Sequence, residues 1–166
     1  VSLKRRLIIG GAASALSLAT AVVSHYEGYR STAYRDPVGI PTICYGHTGS
    51  VEMGQTLSQA QCRALLAGDL GDAFDTVDQR VTVDLPPRRR AALASFVYNV
   101  GDGAFARSTL LRRLNAGDVR GACHELSRWV YANGRKLAGL VKRRATELKL
   151  CLADLPAQNL AEADTP

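Results

Sequence analysis

The chain predicts a mainly α protein of the α+β class, with a small β-hairpin lobe set against a larger helical lobe. Three observations lead there. From Cys62 to Val77 apolar residues recur at three- and four-residue steps, and Pro86-Pro87 opens a segment that is apolar almost all round as far as Val100. By contrast, Asp36 to Gly46 is cut by Pro37, Gly39 and Pro41 into short β-prone pieces such as Thr42-Ile43-Cys44-Tyr45. A length of 166 residues fits one domain able to bury a core without help from a metal.

At the N-terminus, Lys4, Arg5 and Arg6 precede an uncharged run from Leu7 to Val23. Its seventeen residues stand at the lower edge of what spans a bilayer, and Gly10, Gly11, Ser14, Ser17 and Thr20 weaken it further, so insertion should be marginal. The preferred reading is an uncleaved export anchor. A signal peptide cut near Ala19-Thr20-Ala21 and a buried helix of a soluble domain are the alternatives. On the preferred reading residues 1–24 are the anchor and the start of the first helix, 25–153 the folded domain, and 154–166 a polar tail expected to be disordered.

After the hairpin, Ser58 and Gln61 read as a capping box that opens a long helix carrying Cys62, Leu65, Leu66, Leu70, Ala73, Phe74 and Val77 inward, a bridge between the lobes. The helix that begins at Pro86-Pro87 is expected to be the buried central one, ended by Gly101-Asp102-Gly103. A shorter helix over Thr109–Ala116 stops at Gly117. Asp118 caps another, expected to run through Tyr131 with Val119, Cys123, Leu126 and Val130 inward, and a last one covers about Gly139 to Ala153.

Net charge is +6, which favours a polyanionic partner without naming one. Arg88-Arg89-Arg90, Arg112-Arg113 and Lys142-Arg143-Arg144 read as solvated helix faces that attract such a partner. With no zinc finger, basic zipper or RNA-recognition motif beside them, no nucleic-acid partner is expected. His25, His47 and His124 show no ligand spacing, no CxxC pair occurs and there is no glycine-rich phosphate loop, so neither metal nor cofactor is expected. Cys44, Cys62, Cys123 and Cys151 allow three pairings. Proximity favours Cys44 with Cys62 and Cys123 with Cys151, and four buried thiols are the other possibility.

Glu27 and Asp36 stand with eight residues between them, and five more lead to Thr42. Helix-like sequence runs into Glu27, while Asp36 and Thr42 fall on the hairpin, so an acid can stand on each side of a bond. Two such acids suit glycoside hydrolysis, in which one donates a proton to the leaving oxygen and the other activates water. An apolar helix end would keep Glu27 protonated and an open loop would keep Asp36 ionised. Spacing by itself favours the plainer reading, solvated loop charges. His47 reads as a histidine that fixes the hairpin through a carboxylate or hydrogen-bond partner, and Asn99 as a substrate contact. Phe96, Trp129 and Tyr131 read as core rather than sugar platforms.

Taken in order, Glu27, Asp36, Thr42 and Gly46-His47, then Ser95 to Gly101, Ser108 to Leu111, Arg128-Trp129 and Gly139 to Arg144, resemble the phage lysozymes of glycoside hydrolase family 24. With the apolar N-terminus included, the resemblance is to the signal-arrest-release endolysins of lambdoid phages. It implies a two-lobe lysozyme-like fold and hydrolysis, with inversion, of the β-1,4 bond between N-acetylmuramic acid and N-acetylglucosamine in peptidoglycan. Glu27 would be the general acid, Asp36 the carboxylate that handles water and Thr42 its hydroxyl partner. It further implies transient membrane insertion through Leu7–Val23, with an inactive periplasmic domain tethered to the host inner membrane and freed later as a soluble enzyme, expected to be a monomer. The rival readings are a lytic transglycosylase, which needs one Glu and no water, and a non-catalytic membrane-tethered protein that binds DNA or glycan.

Overall fold

A computed structural model describes the backbone of residues 3–156 and the side chains of residues 15–156. The side chains of Leu7 to Ser14 and residues 157–166 of the tail therefore lie outside the described residues.

Helix α1 (Leu3–Glu27) ends at Glu27 because Gly28 takes a left-handed φ of 71°, which turns the chain out of the helix and into strand β1 (Arg30–Arg35). Strand β2 (Pro41–Cys44) returns antiparallel, with Tyr34 opposite Thr42 and an irregularity between Arg30 and Tyr34. Segment 55–57 flanks β1 on its other side, where Leu57 N–H donates to the Ser31 carbonyl and Ala33 N–H to that of Gln55, both at 2.9 Å. Cys44 closes β2 and is bonded to Cys62 in the first turn of α2 (Gln59–Arg80), 18 residues on. Constraining a loop of that length contributes about 3 kcal/mol in the chain-entropy account.

Helix α2 opens on a capping box: Gln61 N–H donates to the Ser58 hydroxyl and Ser58 N–H to Gln61 Oε1. Its inner face buries Cys62, Leu66, Leu70, Ala73, Phe74 and Val77. Helix α3 (Pro87–Val100) has proline at its first position, and Ala91 through Val97 are all buried. It is the central element, packed against α1, α2 and the last helix. Ala15, Ala19 and Val23 of α1 are wholly buried, and their small size brings the α1 backbone close to α3. Among the described residues no helix is long and apolar enough to cross a membrane.

Beyond α3 the structure departs from the sequence reading in four places. Gly101 (φ 83°) stops α3, but the chain re-enters a helix at once as α4 (Asp102–Ala106), because the glycine turns it without spacing it. Helices α5 (Thr109–Asn115) and α6 (Val119–Glu125) are capped by the Ser108 hydroxyl and the Asp118 carboxylate. The helix expected through Tyr131 ends instead in a 3₁₀ turn at Leu126–Arg128. It gives way to hairpin β3 (Tyr131–Ala132) and β4 (Arg135–Lys136), because Asn133-Gly134, both with positive φ (49° and 73°), is a two-residue hairpin turn. That hairpin carries Tyr131 out of the core to 62% exposure, against its expected burial, while Phe96 is buried and Trp129 stacks edge-on against it at 5.2 Å.

The charge runs are the fourth departure. Consecutive helix residues turn by about 100°, so three in a row cannot share one face. Arg88 is exposed, Arg90 pairs with Asp78 over the Phe74 ring, and Arg89 is buried with its Nε donating to the Cys151 carbonyl at 3.1 Å. In α7 (Ala138–Leu152), which a second disulfide ties to α6 through Cys123 and Cys151, Lys142 is exposed but Arg143 and Arg144 are buried. These two arginines are interior groups, not a surface that attracts substrate.

Candidate active site

Glu27 is the last residue of α1, with its side chain 24% exposed. It is held from α7: Arg143 Nη1 donates to Glu27 Oε1, and one residue earlier the Tyr26 hydroxyl meets Thr146 Oγ1 at 2.7 Å and the Lys142 carbonyl at 3.1 Å. The surroundings are thus an ion pair with a buried guanidinium, not the apolar helix end that the sequence suggested. From the other side the hairpin exit closes in. A Cβ at Gly46, whose φ is 92°, would stand 3.8 Å from Glu27 Oε2 and 3.9 Å from the Tyr98 hydroxyl, so bare backbone passes beside the carboxylate.

Tyr98 fastens that approach by donating to the Tyr45 carbonyl at 2.8 Å. Burial, with Asp69 and Glu27 nearby, pushes its hydroxyl well above the usual phenol range, so it stays a donor at any working pH. His47 is oriented twice: Nδ1 lies 2.8 Å from Asp69 Oδ2 on α2 and Nε2 lies 2.8 Å from the Gly49 carbonyl. The histidine pins the hairpin to α2. An open cleft of about 530 Å³ runs between these parts, lined by Gly46, His47, Asp69, Asp72, Tyr98 and Asp102 among others. A cleft of that size accepts an extended ligand.

Asp36 sits at the hairpin tip. Its Oδ1 accepts the N–H groups of Val38 (3.0 Å) and Ile40 (2.8 Å), which organises the turn, and no hydrogen bond engages Oδ2 among the described residues. Thr42 is buried on β2 and its hydroxyl donates to the Ile40 carbonyl at 3.0 Å, leaving its lone pairs to accept. Neither lines the cleft near His47, and no hydrogen bond joins either to Glu27 among the described residues. The exposed Asn99 receives a hydrogen bond from Arg144. Among the described residues no group of acids, histidines and cysteines has the makings of a metal site.

Several residues of the site carry no signal in the acid spacing: Tyr26, Asp69, Ser95, Tyr98, Arg143 and Glu147. A clue lay in Arg143, Arg144 and Glu147, whose three- and four-residue steps are those of helix ion pairs.

A two-lobed, mainly helical protein with a carboxylate beside an open cleft is the class that this fold and site define. Comparison with known proteins narrows it: residues 24–147 match the phage lysozyme family, and the chain belongs to that family. It is 50% identical over 127 residues to the SAR-endolysin of Bacteriophage PS119, covering 76% of each chain. Among solved structures it is similar to a variant of P22 lysozyme (TM-score 0.75, 35% identity, 82% of this chain and 96% of that one). It is also similar to the muramidase domain of SpmX from Asticaccaulis excentricus (TM-score 0.76, 36% identity, 81% and 94%). The protein is a lysozyme of the endolysin type.

Proposed function

We propose that the enzyme is a muramidase that adds water across the β-1,4 bond between N-acetylmuramic acid and N-acetylglucosamine in peptidoglycan. The observation that carries this reading is Glu27 standing against the hairpin exit at Gly46 with Arg143 behind it. In the proposed step the Glu27 carboxyl passes its proton to the leaving glycosidic oxygen, and Arg143 stabilises the carboxylate that results. A water held by Asp36 Oδ2 and the Thr42 hydroxyl attacks the opposite face of the sugar and gives up its proton to Asp36, which inverts the anomeric centre. Asn99 and His47 support the cleft rather than move protons.

Digestion of purified peptidoglycan followed by product analysis tests the reading. Muropeptides ending in reducing muramic acid, released first as the α anomer, are expected. Anhydro ends would mean a transglycosylase, and DNA binding that collapses with salt without any muropeptide release would mean a binding protein. Asp36→Asn separates the two carboxylates further. The amide oxygen still accepts from Val38 and Ile40, so the turn survives, but the base is gone, and turnover should fall about 10²-fold or more at unchanged thermal stability. Equal turnover would remove Asp36 from the mechanism.

The proposal extends to control. Residues 1–24 act as an export anchor, with the catalytic domain over 25–153 held inactive at the periplasmic face of the inner membrane and later released as a soluble monomer. Two observations support it: only Ser24, His25 and Tyr26 separate the uncharged run Leu7–Val23 from Glu27, and the same stretch supplies Ala15, Ala19, Val22 and Val23 to the folded core. One segment cannot serve the bilayer and the core at once.

A further inference from the structure

Behind Glu27 lies a chain of buried charges of which the proposed reaction uses only Arg143. Glu147 is wholly buried on α7 and accepts from the Ser95 hydroxyl (2.7 Å), Arg143 Nε (3.1 Å) and Arg144 Nη1. Arg143 spends its other edges on Glu27 and on the Ser95 carbonyl (3.1 Å). Arg144 donates to the Trp129 carbonyl (3.0 Å) and to Asn99, and lies over the Phe96 ring. Two guanidinium groups thus face two carboxylates, Glu27 and Glu147, and only Glu27 reaches solvent. Buried charge of one sign is costly unless matched, so each carboxylate answers for the arginines that the other leaves unmatched.

We infer that Glu147 is a positioning residue for the reaction: it takes up the charge of Arg144 and fixes the plane of Arg143, so that Glu27 answers to one guanidinium rather than two and can carry the proton it must donate. The inference rests on Glu27 being the general acid. Burial pulls the Arg144 guanidinium below the usual arginine range while Glu147 pulls it back; an arginine keeps its charge even in the interior, so the cation is there to be matched whether or not Glu147 is ionised. Among the described residues, the groups around Glu27 that bear charge or titrate include Tyr26 beside it, Arg143 and Arg144 from α7, Tyr98 from α3 and, beyond Tyr98, Asp69 on α2 with its partner His47. None but the two arginines is altered in its partners by a change at Glu147.

The test is the pH–kcat profile on purified peptidoglycan, read beside the pH titration of the one carboxyl ¹³C signal that Glu27→Gln removes. Glu147→Gln preserves shape but uncovers the second cation, so the alkaline limb and the Glu27 midpoint should both move to lower pH. Arg144→Gln removes that cation and should move both to higher pH. Glu147→Gln with Arg144→Gln restores balance and should bring the limb back toward the parent's position. His47 keeps its Asp69 partner in every variant, so that pair is common to the whole comparison. If the single changes lower kcat without displacing the limb, or both displace it the same way, the inference is overturned. Should Glu147→Gln not fold, Arg144→Gln alone decides, since an unmoved limb is then sufficient to reject it. Failure of the underlying reading looks different: Glu27→Gln would stay active.

Discussion

Glu27→Gln is expected to leave the fold intact and to lower peptidoglycan hydrolysis by about 10²–10⁴-fold, the usual worth of a positioned proton donor. Glutamine keeps the length of the side chain, and its Oε1 can still accept from Arg143, so the contact between α1 and α7 survives. What vanishes is the acidic hydrogen. Tyr26 adds its own ties to α7, and α1 packs on α3 through Ala15, Ala19 and Val23, so the unfolding temperature should hardly move. Turbidity clearance and thermal unfolding, measured on one preparation, check both halves. Near-parental clearance would remove Glu27 from the role proposed for it.

The second large effect is in cells. Leucine at Gly10, Gly11 and Ser14 makes the run Leu7–Val23 a firm membrane span, because each exchange replaces a residue of weak or unfavourable insertion by one that favours the bilayer. Lysis should be blocked, and the protein should stay in the membrane fraction after an uncoupler collapses the potential, while the parent moves to the soluble fraction. The chemistry at Glu27 is untouched by design. A parent already soluble and active before the uncoupler, or shortened at its N-terminus, would refute the tethering mechanism.

The fold was legible where periodicity is strong. The stripe of α2, its Ser58–Gln61 cap and the all-round apolar α3 follow directly from residue spacing. Legibility failed where one strong signal masked a weaker one. The inward run Val119, Cys123, Leu126 and Val130 reads as continuous helix, and it hid the Asn133-Gly134 turn that makes a hairpin of the next residues. For the site, the family resemblance rather than spacing alone pointed to Glu27, Asp36 and Thr42, and it said nothing of what stands behind them. Arg143 looked like part of a surface charge run, since a sequence displays charge and not which face of the helix the core will claim. The partners of Glu27 come from α7, more than a hundred residues away, and such a meeting is written in packing rather than in local pattern.

The division of the basic residues into two populations also governs how the enzyme should respond to salt. Arg88, Arg112, Arg113 and Lys142 are exposed, and their pull on an anionic wall fades once the Debye length shrinks below about 10 Å. Arg143 and Arg144 lie in the protein interior, out of reach of mobile ions, and their hold on Glu27 and Glu147 does not fade. On the proposed reading, attachment to the wall is therefore the part of the cycle that ionic strength should tune, and bond cleavage the part it should leave alone.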